Sequence, residues 1–316
     1  MSLDTHHGVE ITPCRNCESP VFDDELYCEA CGTHSVEEAA DVLAAARQSG
    51  DREELDFGSI AAITDRGRVR HRNEDAIAIA ASGTRSVAVV CDGVASTANP
   101  DLAARAAAKA TLLCLESILH TVGPLSPEEL AEQMRAAFAQ AQEAVTVIPD
   151  DEPGGNDLSP STTLVAAVVT PERIVVGNVG DSRAYWLSPA DCELLTTDDS
   201  RAQELIAGGA APDEAYADPD SHGITRWMGA DTESAEPAVV EMSVPGPGVL
   251  LLCTDGLWNC LRDPRALAEV VFGDGAPPTA RESARLLADA ALTAGGRDNI
   301  TVAVVFVDPL TTPPTV

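Results

Sequence analysis

Acidic side chains recur where apolar runs break off, and they are the first chemistry this 316-residue sequence offers. Ala88-Val89-Val90-Cys91 ends at Asp92-Gly93, Val176-Gly177-Asn178-Val179-Gly180 at Asp181, and Leu251-Leu252-Cys253-Thr254 at Asp255-Gly256, while Arg297-Asp298-Asn299 stands just before such a run. A carboxylate at a strand end is held by the rigidity of the sheet, and an adjacent glycine lets a ligand approach the backbone. One Asp-Gly alone is usually a turn. Four turns of this form, together with Asn73-Glu74-Asp75 ahead of another run, are read as a site. Hard oxygen donors with only six scattered histidines select Mg²⁺ or Mn²⁺ over zinc. Carboxylates drawn to one point repel unless cations neutralise them.

Two further groups carry chemistry. Arg66, Arg68, Arg70 and Arg72 precede Glu74 and Asp75 directly, an inversion of charge that suits a phosphate oxygen gripped by guanidinium; the alternative is a solvated basic edge. At the other end of the chain, Cys14-x-x-Cys17 and Cys28-x-x-Cys31 offer four thiolates in two knuckles, the donor set of a closed structural zinc site. So small a segment has little core, and metal binding would supply most of its folding free energy. Disulfides are the alternative, but nine cysteines, five of them scattered, do not suit a disulfide framework.

Short Val, Ile, Leu and Ala runs at 57–64, 76–80, 86–91, 162–169, 173–179, 183–187, 247–253 and 300–307 read as buried strands that must position these groups. Helices are expected over 101–120, from the capping box Ser126-Pro127-Glu128-Glu129 to about 147, near 263–271 and over 279–294. Runs of strands separated by helix pairs argue for an α+β fold with helices segregated from a largely antiparallel sheet. The expected organisation is a flexible start at 1–10, a zinc ribbon at 11–34, a helical acidic linker at 35–56, a catalytic domain at 57–309 and a disordered tail at 310–316. Residues 149–160 and 212–223 read as loops.

Composition narrows the partners. The 51 acidic against 20 basic residues give a net charge of −31, which repels polyphosphate backbones and anionic lipid. Residues 1–34 are themselves acidic, which turns the cysteine module away from nucleic acid and toward a structural role or a protein partner. No apolar run approaches the ~20 residues of a membrane helix, and the N-terminus lacks a secretory pattern, so a cytoplasmic monomer is expected.

From Phe57 to Asp308 the motifs run in the order of a known family. Asp65-x-Gly67-x-x-Arg70-x-x-Asn73-Glu74-Asp75, Asp92-Gly93, Ser161-Thr162-Thr163, Gly180-Asp181-Ser182-Arg183, Leu195-Thr196-Thr197-Asp198-Asp199-Ser200, Ile224-Thr225-Arg226-x-x-Gly229, Cys253-Thr254-Asp255-Gly256 and Gly296-Arg297-Asp298-Asn299-Ile300-Thr301 together resemble the metal-dependent protein phosphatases, the type 2C serine/threonine phosphatases of bacteria. The resemblance implies an α-β-β-α four-layer sandwich of two antiparallel sheets flanked by helix pairs. It implies Asp92 bridging two Mn²⁺ or Mg²⁺ ions, Asp255 and Asp298 completing the first site, and Gly93 with Glu74 or Asp75 serving the second. Asp181 with Asp255 would hold a third ion, as in many relatives, and Arg70 would bind the substrate phosphate. Direct attack of a metal-bridging hydroxide on phosphoserine or phosphothreonine then follows, on phosphoproteins made by a bacterial serine/threonine kinase.

The sequence departs from the family at two places. Asp92-Gly93-Val94-Ala95-Ser96 stands where relatives read Asp-Gly-x-Gly-Gly or Asp-Gly-His-Ala-Gly, and Asp199 replaces the histidine of the Asp-His-Ser segment. Val94 cannot donate a proton to a leaving alkoxide. A silent phosphatase-like scaffold is the competing reading, and retention of every acidic motif residue speaks against it.

Overall fold

A computed structural model describes residues 11–13, 20–22, 51–149, 158–232, 235–273 and 279–307. The chain divides into two units, Met1–Ala44 and Ala45–Val316. In the first, β1 (Ile11–Pro13) and β2 (Pro20–Phe22) pair antiparallel with Ile11 opposite Phe22. Cys14, Cys17, Cys28 and Cys31, the start 1–10, the helix expected after Ser35 and the tail from 310 lie outside the described residues.

The second unit opens on three strands, β3 (Arg52–Asp56), β4 (Ile60–Asp65) and β5 (Asp75–Ser82), followed by β6 (Arg85–Asp92). Two long helices come next, α1 (Pro100–His120) and α2 (Pro127–Thr146), the latter capped reciprocally by Ser126 and Glu129 as the sequence requires. After β7 (Ser161–Thr162) come β8 (Leu164–Val169), β9 (Arg173–Val179), β10 (Arg183–Leu187) and β11 (Cys192–Leu194). Short helices α3 (Arg201–Ala207) and α4 (Pro212–Ala217) lead to β12 (Met228–Gly229), β13 (Ala238–Ser243) and β14 (Gly248–Cys253). The chain closes with α5 (Asp255–Trp258), α6 (Pro264–Phe272), α7 (Ala280–Thr293) and β15 (Ile300–Val307).

Two antiparallel sheets result, one in the order β11-β10-β14-β15-β4-β3 and one in the order β13-β9-β8-β6-β5. Period two decides which face each residue takes. On β15, Ala303, Val305 and Val307 face the inter-sheet core with Ile60, Ile77, Val90, Val176 and Leu252. Ile300, Val302 and Val304 face outward onto Leu267, Val271, Leu287 and Ala291 of α6 and α7. Helices α1 and α2 cover the other sheet, α1 against β5 and β6 and α2 against β9. The central strands are buried on both faces, which is why they read as unbroken apolar runs. Each buried Val, Leu or Ile contributes roughly 1.5–3 kcal/mol. The layers are thus α-β-β-α. No helix among the described residues is long and apolar enough to cross a membrane.

Two expectations are corrected and one element is added. Arg52–Asp56, assigned to the acidic linker, is the edge strand β3, registered against β4 with Arg52 opposite Asp65. Its charges are paired: Arg52 meets Asp65 at 3.2 Å and Glu54 meets Arg285 at 2.7 Å. The six-stranded sheet therefore begins before Phe57. Within 212–223, read as a loop, Pro212 starts the short helix α4. The added element is β13, a half-exposed edge strand whose sequence has no strong apolar face.

Candidate active site

The antiparallel registers bring the acidic motifs to one end of the sandwich. Asp75 opens β5 directly opposite Asp92, which closes β6. Cys253, two residues before Asp255, lies opposite both Val302 and Arg183, and Ile300, two residues after Asp298, lies opposite Asp65. Asp181 sits in the Gly180–Ser182 link that crosses from β9 in one sheet to β10 in the other. Both sheets thus contribute carboxylates to one seam.

The acids and the backbone that carries them are held by a set of neighbouring hydrogen bonds. Thr301 Oγ1 and Thr254 Oγ1 donate to Asp75 Oδ2 at 2.6 and 3.0 Å, and Thr301 shares a further hydroxyl contact of 2.7 Å with Thr64. The Asp92 backbone is gripped by Thr163, whose N–H donates to the Asp92 carbonyl at 2.8 Å and whose Oγ1 accepts from Asp92 N at 3.1 Å. Asn259 Nδ2 donates to Asp255 Oδ2 at 3.0 Å. Trp258 Nε1 donates to the Asp181 carbonyl at 2.9 Å. Asn299 ties the loops together: its Oδ1 accepts from Glu74 N at 2.8 Å, and its Nδ2 donates to the carbonyls of Arg66 and Arg72 at 2.9 and 3.0 Å.

Two glycines are demanded by this closeness. A Cβ on Gly256 would stand 1.8 Å from the Asn299 carbonyl oxygen. A Cβ on Gly67, which also has φ +74°, would stand 2.2 Å from the Asp298 carbonyl oxygen. Side chains at either position would push the Asp298–Asn299 loop away from the sheet end.

The electrostatics are those of crowded, buried anions. Burial, together with the charges of Asp255 and Asp298, pushes Asp75 up to about 7 against the opposing hydrogen bonds of Thr301 and Thr254. Burial and the Asp298 charge likewise push Asp255 up to about 7, and its carboxyl is within hydrogen-bonding reach of Asp92. Asp92 is driven well above the carboxylate range by burial and then by Asp75, Asp255, Asp181 and Asp298. Asp181 rises through burial and then through Asp255 and Asp198. Keeping such acids ionised requires positive charge from outside the set.

Hard carboxylate oxygens in this number suit a divalent cation such as Mg²⁺ or Mn²⁺. Asp75 Oδ1 supports that fit, being buried with no hydrogen-bond partner. The set is not a finished cage: among the described residues, no three acidic, imidazole or thiol groups converge at ligand distance on one point. The oxygens are engaged with Thr254, Thr301, Asn259 and Arg70 instead.

The arginine knot separates into different roles. Arg70 reaches the seam, its Nη2 donating to Asp298 Oδ2 at 2.6 Å, a contact that raises its own pKa. Arg72 bonds Glu74 at 2.7 Å and Arg66 bonds Asp51 at 2.8 Å, so these two serve as braces. Glu74 consequently faces Arg72, while Asp75 is the member of the pair coupled to the other acids.

Arg183 lies fully inside the domain. Its Nε and Nη2 grip Asp198 at 2.9 and 2.6 Å, its Nη1 and Nη2 donate to Tyr185 and Tyr216 at 3.1 and 2.8 Å, and its guanidinium stacks 3.8 Å above the Trp258 ring. Asp199 accepts from Gly180 N at 3.0 Å and from Arg226 at 3.1 Å, and burial pushes its pKa up. The carboxylate thereby ties the Asp181 link to the segment carrying Arg226. Sequence reading noticed these motif positions without seeing what Thr163, Thr254, Asn299 and Thr301 hold. The available signal was a small polar residue at the end of a fully apolar strand, where a buried hydroxyl needs a partner.

Comparison with known proteins agrees with the geometry. The sequence profile of the family described as protein phosphatase 2C matches residues 66–290. The serine/threonine phosphatase stp of Listeria monocytogenes is 30% identical over 244 residues, covering 77% of this chain and 93% of that protein. The crystal structure of the serine/threonine phosphatase Stp1 from Staphylococcus aureus superposes with a TM-score of 0.68 at 25% identity, covering 82% of this chain and 99% of that one. The catalytic domain of the serine threonine protein phosphatase PstP in complex with two manganese ions gives a TM-score of 0.60 at 28% identity, over 79% of this chain and 98% of that one.

Proposed function

The chain belongs to the protein phosphatase 2C family, and from that membership we propose that it is a metal-dependent serine/threonine phosphatase acting on phosphoproteins. The observation that carries the reading is the seam itself: Asp75, Asp92, Asp181 and Asp255, drawn from both sheets, are crowded together, Asp75 and Asp181 buried and Asp92 and Asp255 half-buried, and raised by one another, with Arg70 beside them. Asp92, Asp255 and Asp298 would hold one Mn²⁺ or Mg²⁺, and Asp92, Gly93 and Asp75 a second, with Glu74 nearby. Asp181 with Asp255 would take a third. Such ions, when bound, acidify water for attack on phosphorus and neutralise charge on the phosphoryl oxygens.

The chain's own residues position and exclude. Arg70 presents a guanidinium beside Asp298, suited to two equatorial phosphoryl oxygens. Thr254, Thr301 and Asn259 fix the acids so that little reorganisation accompanies reaction. Val94 offers no proton to the departing serine or threonine alkoxide. Cys91 and Cys253 are buried, and desolvation pushes their thiols up, so neither is suited to act as a nucleophile, which fits direct hydrolysis. The kinase that makes the substrate, a structural zinc on Cys14, Cys17, Cys28 and Cys31, and a protein partner for that module remain part of the proposal on the strength of the sequence pattern.

The test is phosphate release from a phosphothreonine peptide with Mn²⁺, Mg²⁺ or excess EDTA, with Asp255→Asn beside the wild type. We expect metal-dependent release, abolished by EDTA and reduced at least ~10³-fold by the substitution, since metal and electrostatic stabilisation supplies several kcal/mol. No release from folded protein with any cation would transfer the chain to the silent-scaffold reading.

A further inference from the structure

A groove of about 400 Å³ adjoins the acidic seam, lined by Asp255 and Asp298 and also by Asn259, His222, Arg262 and Arg297. We propose that it is a subsite for an anionic side chain, carboxylate or phosphoryl, carried by the substrate peptide next to its phosphorylated residue. This rests on the phosphatase reading above.

Charge is the first argument. In a chain of net −31, the cations near the seam are mostly spoken for: Arg70 by Asp298, Arg72 by Glu74, Arg183 by Asp198 and Arg226 by Asp199. Among the described residues, Arg262 and Arg297 have no carboxylate partner within ion-pair distance. Both line the same groove. With Asp298 held by Arg70 and Asp255 given over to a cation, the two guanidinium groups set the sign of the groove and select for negative charge over neutral neighbours.

Preorganisation is the second. The Arg262 guanidinium lies 3.8 Å above the Tyr216 ring and 5.8 Å from that of Trp258, so its orientation is fixed before anything binds. Its Nε is buried and makes no hydrogen bond. A guanidinium held in place by stacking loses little entropy when it meets an anion.

Continuity is the third. Asp255 and Asp298 belong both to this groove and to the seam where phosphoryl chemistry is placed, so an anion in the groove belongs to the same substrate as the phosphate being removed. The volume falls within the ~300–1,000 Å³ of ordinary binding clefts.

The experiment uses the full chain with Mn²⁺ and phosphothreonine peptides of one length. The residues flanking the phosphothreonine are alanine, aspartate or a second phosphothreonine. The readout is the ratio of kcat/KM between peptides within one enzyme, which cancels any general loss of catalysis. We expect anionic neighbours to raise kcat/KM about 10-fold over alanine, equivalent to ~1.4 kcal/mol. Arg262→Gln and Arg297→Gln should each bring the ratio toward one, Arg262→Lys should retain part of it, and added salt should reduce it. A gain with the second phosphothreonine alone assigns the subsite to a phosphoryl group, and a gain with both assigns it to anions generally. Equal kcat/KM for all three peptides overturns the subsite while leaving the phosphatase standing. No release from any peptide overturns the phosphatase, and the subsite with it.

Discussion

Arg183 occupies a family motif beside Asp181, yet the geometry makes it a structural residue, and Asp198→Ala tests this directly. The two side chains are 1% and 2% exposed and meet through three contacts of 2.9, 3.2 and 2.6 Å. Removing the carboxylate leaves a buried guanidinium facing two phenols and an indole with no anion. Breaking a buried pair in this way costs about 3–5 kcal/mol. At roughly 2–4 °C per kcal/mol, Tm should fall by roughly 6–20 °C. Urea unfolding followed by tryptophan fluorescence measures the loss, since Trp258 stacks on the pair and Trp186 lies in the core. The double variant Arg183→Met, Asp198→Leu should recover part of it, because neither charge is then stranded. Recovery stays incomplete because Tyr185 and Tyr216 lose their partner. An Asp198→Ala loss below ~1 kcal/mol, or additive losses in the double variant, would refute the reasoning.

Two other predictions concern stability. Asp75 and Asp255 are raised to about 7 in the fold, so between their unfolded value near ~4 and that point the native state binds more protons than the unfolded one. Stability under EDTA should therefore fall as pH rises from about 4 to 7, and Asp75→Asn should flatten that slope. Mn²⁺, which takes the ionised acids, should remove it. A urea midpoint that rises over this interval under EDTA, in wild type relative to Asp75→Asn, would refute the assignment. The edge strand gives the second prediction: a chain lacking residues 1–56 should melt at a lower temperature than one lacking 1–50, because only the longer deletion removes the β3 ladder and its Arg52–Asp65 and Glu54–Arg285 pairs. Equal melting temperatures would show that β3 adds nothing to the sheet.

The sandwich was legible because its central strands are buried on both faces. Apolar runs such as Leu250–Cys253 and Val302–Val305 admit no other reading at that length, and Ser126 and Glu129 announce α2 unambiguously. The elements that escaped lie where burial is partial. Arg52–Asp56 looks like solvated linker because its charges face partners far along the chain, at Asp65 and Arg285. In the site, the aspartates were visible as interruptions of apolar runs. The direction each side chain takes was not. Nothing local separates Arg70, which bonds Asp298, from Arg72, which bonds Glu74, because the distinction depends on a loop more than two hundred residues away. The same distance hid Thr301, whose hydroxyl reaches Asp75 only after β15 is laid beside β4.

Asp75 also has a mechanical consequence. Contact between two apolar sheet faces is non-directional and resists sliding only through the interlocking of side chains. Asp75 belongs to one sheet, and the two threonines that donate to it, Thr254 and Thr301, belong to the end of β14 and to β15 in the other. These bonds have fixed direction and act across the interface as a pin against shear. The pin fastens the sheets at the end that carries the acids, while the opposite end is held by the covalent link from Ser243 of β13 to Gly248 of β14, so each end of the sandwich resists sliding by a different means.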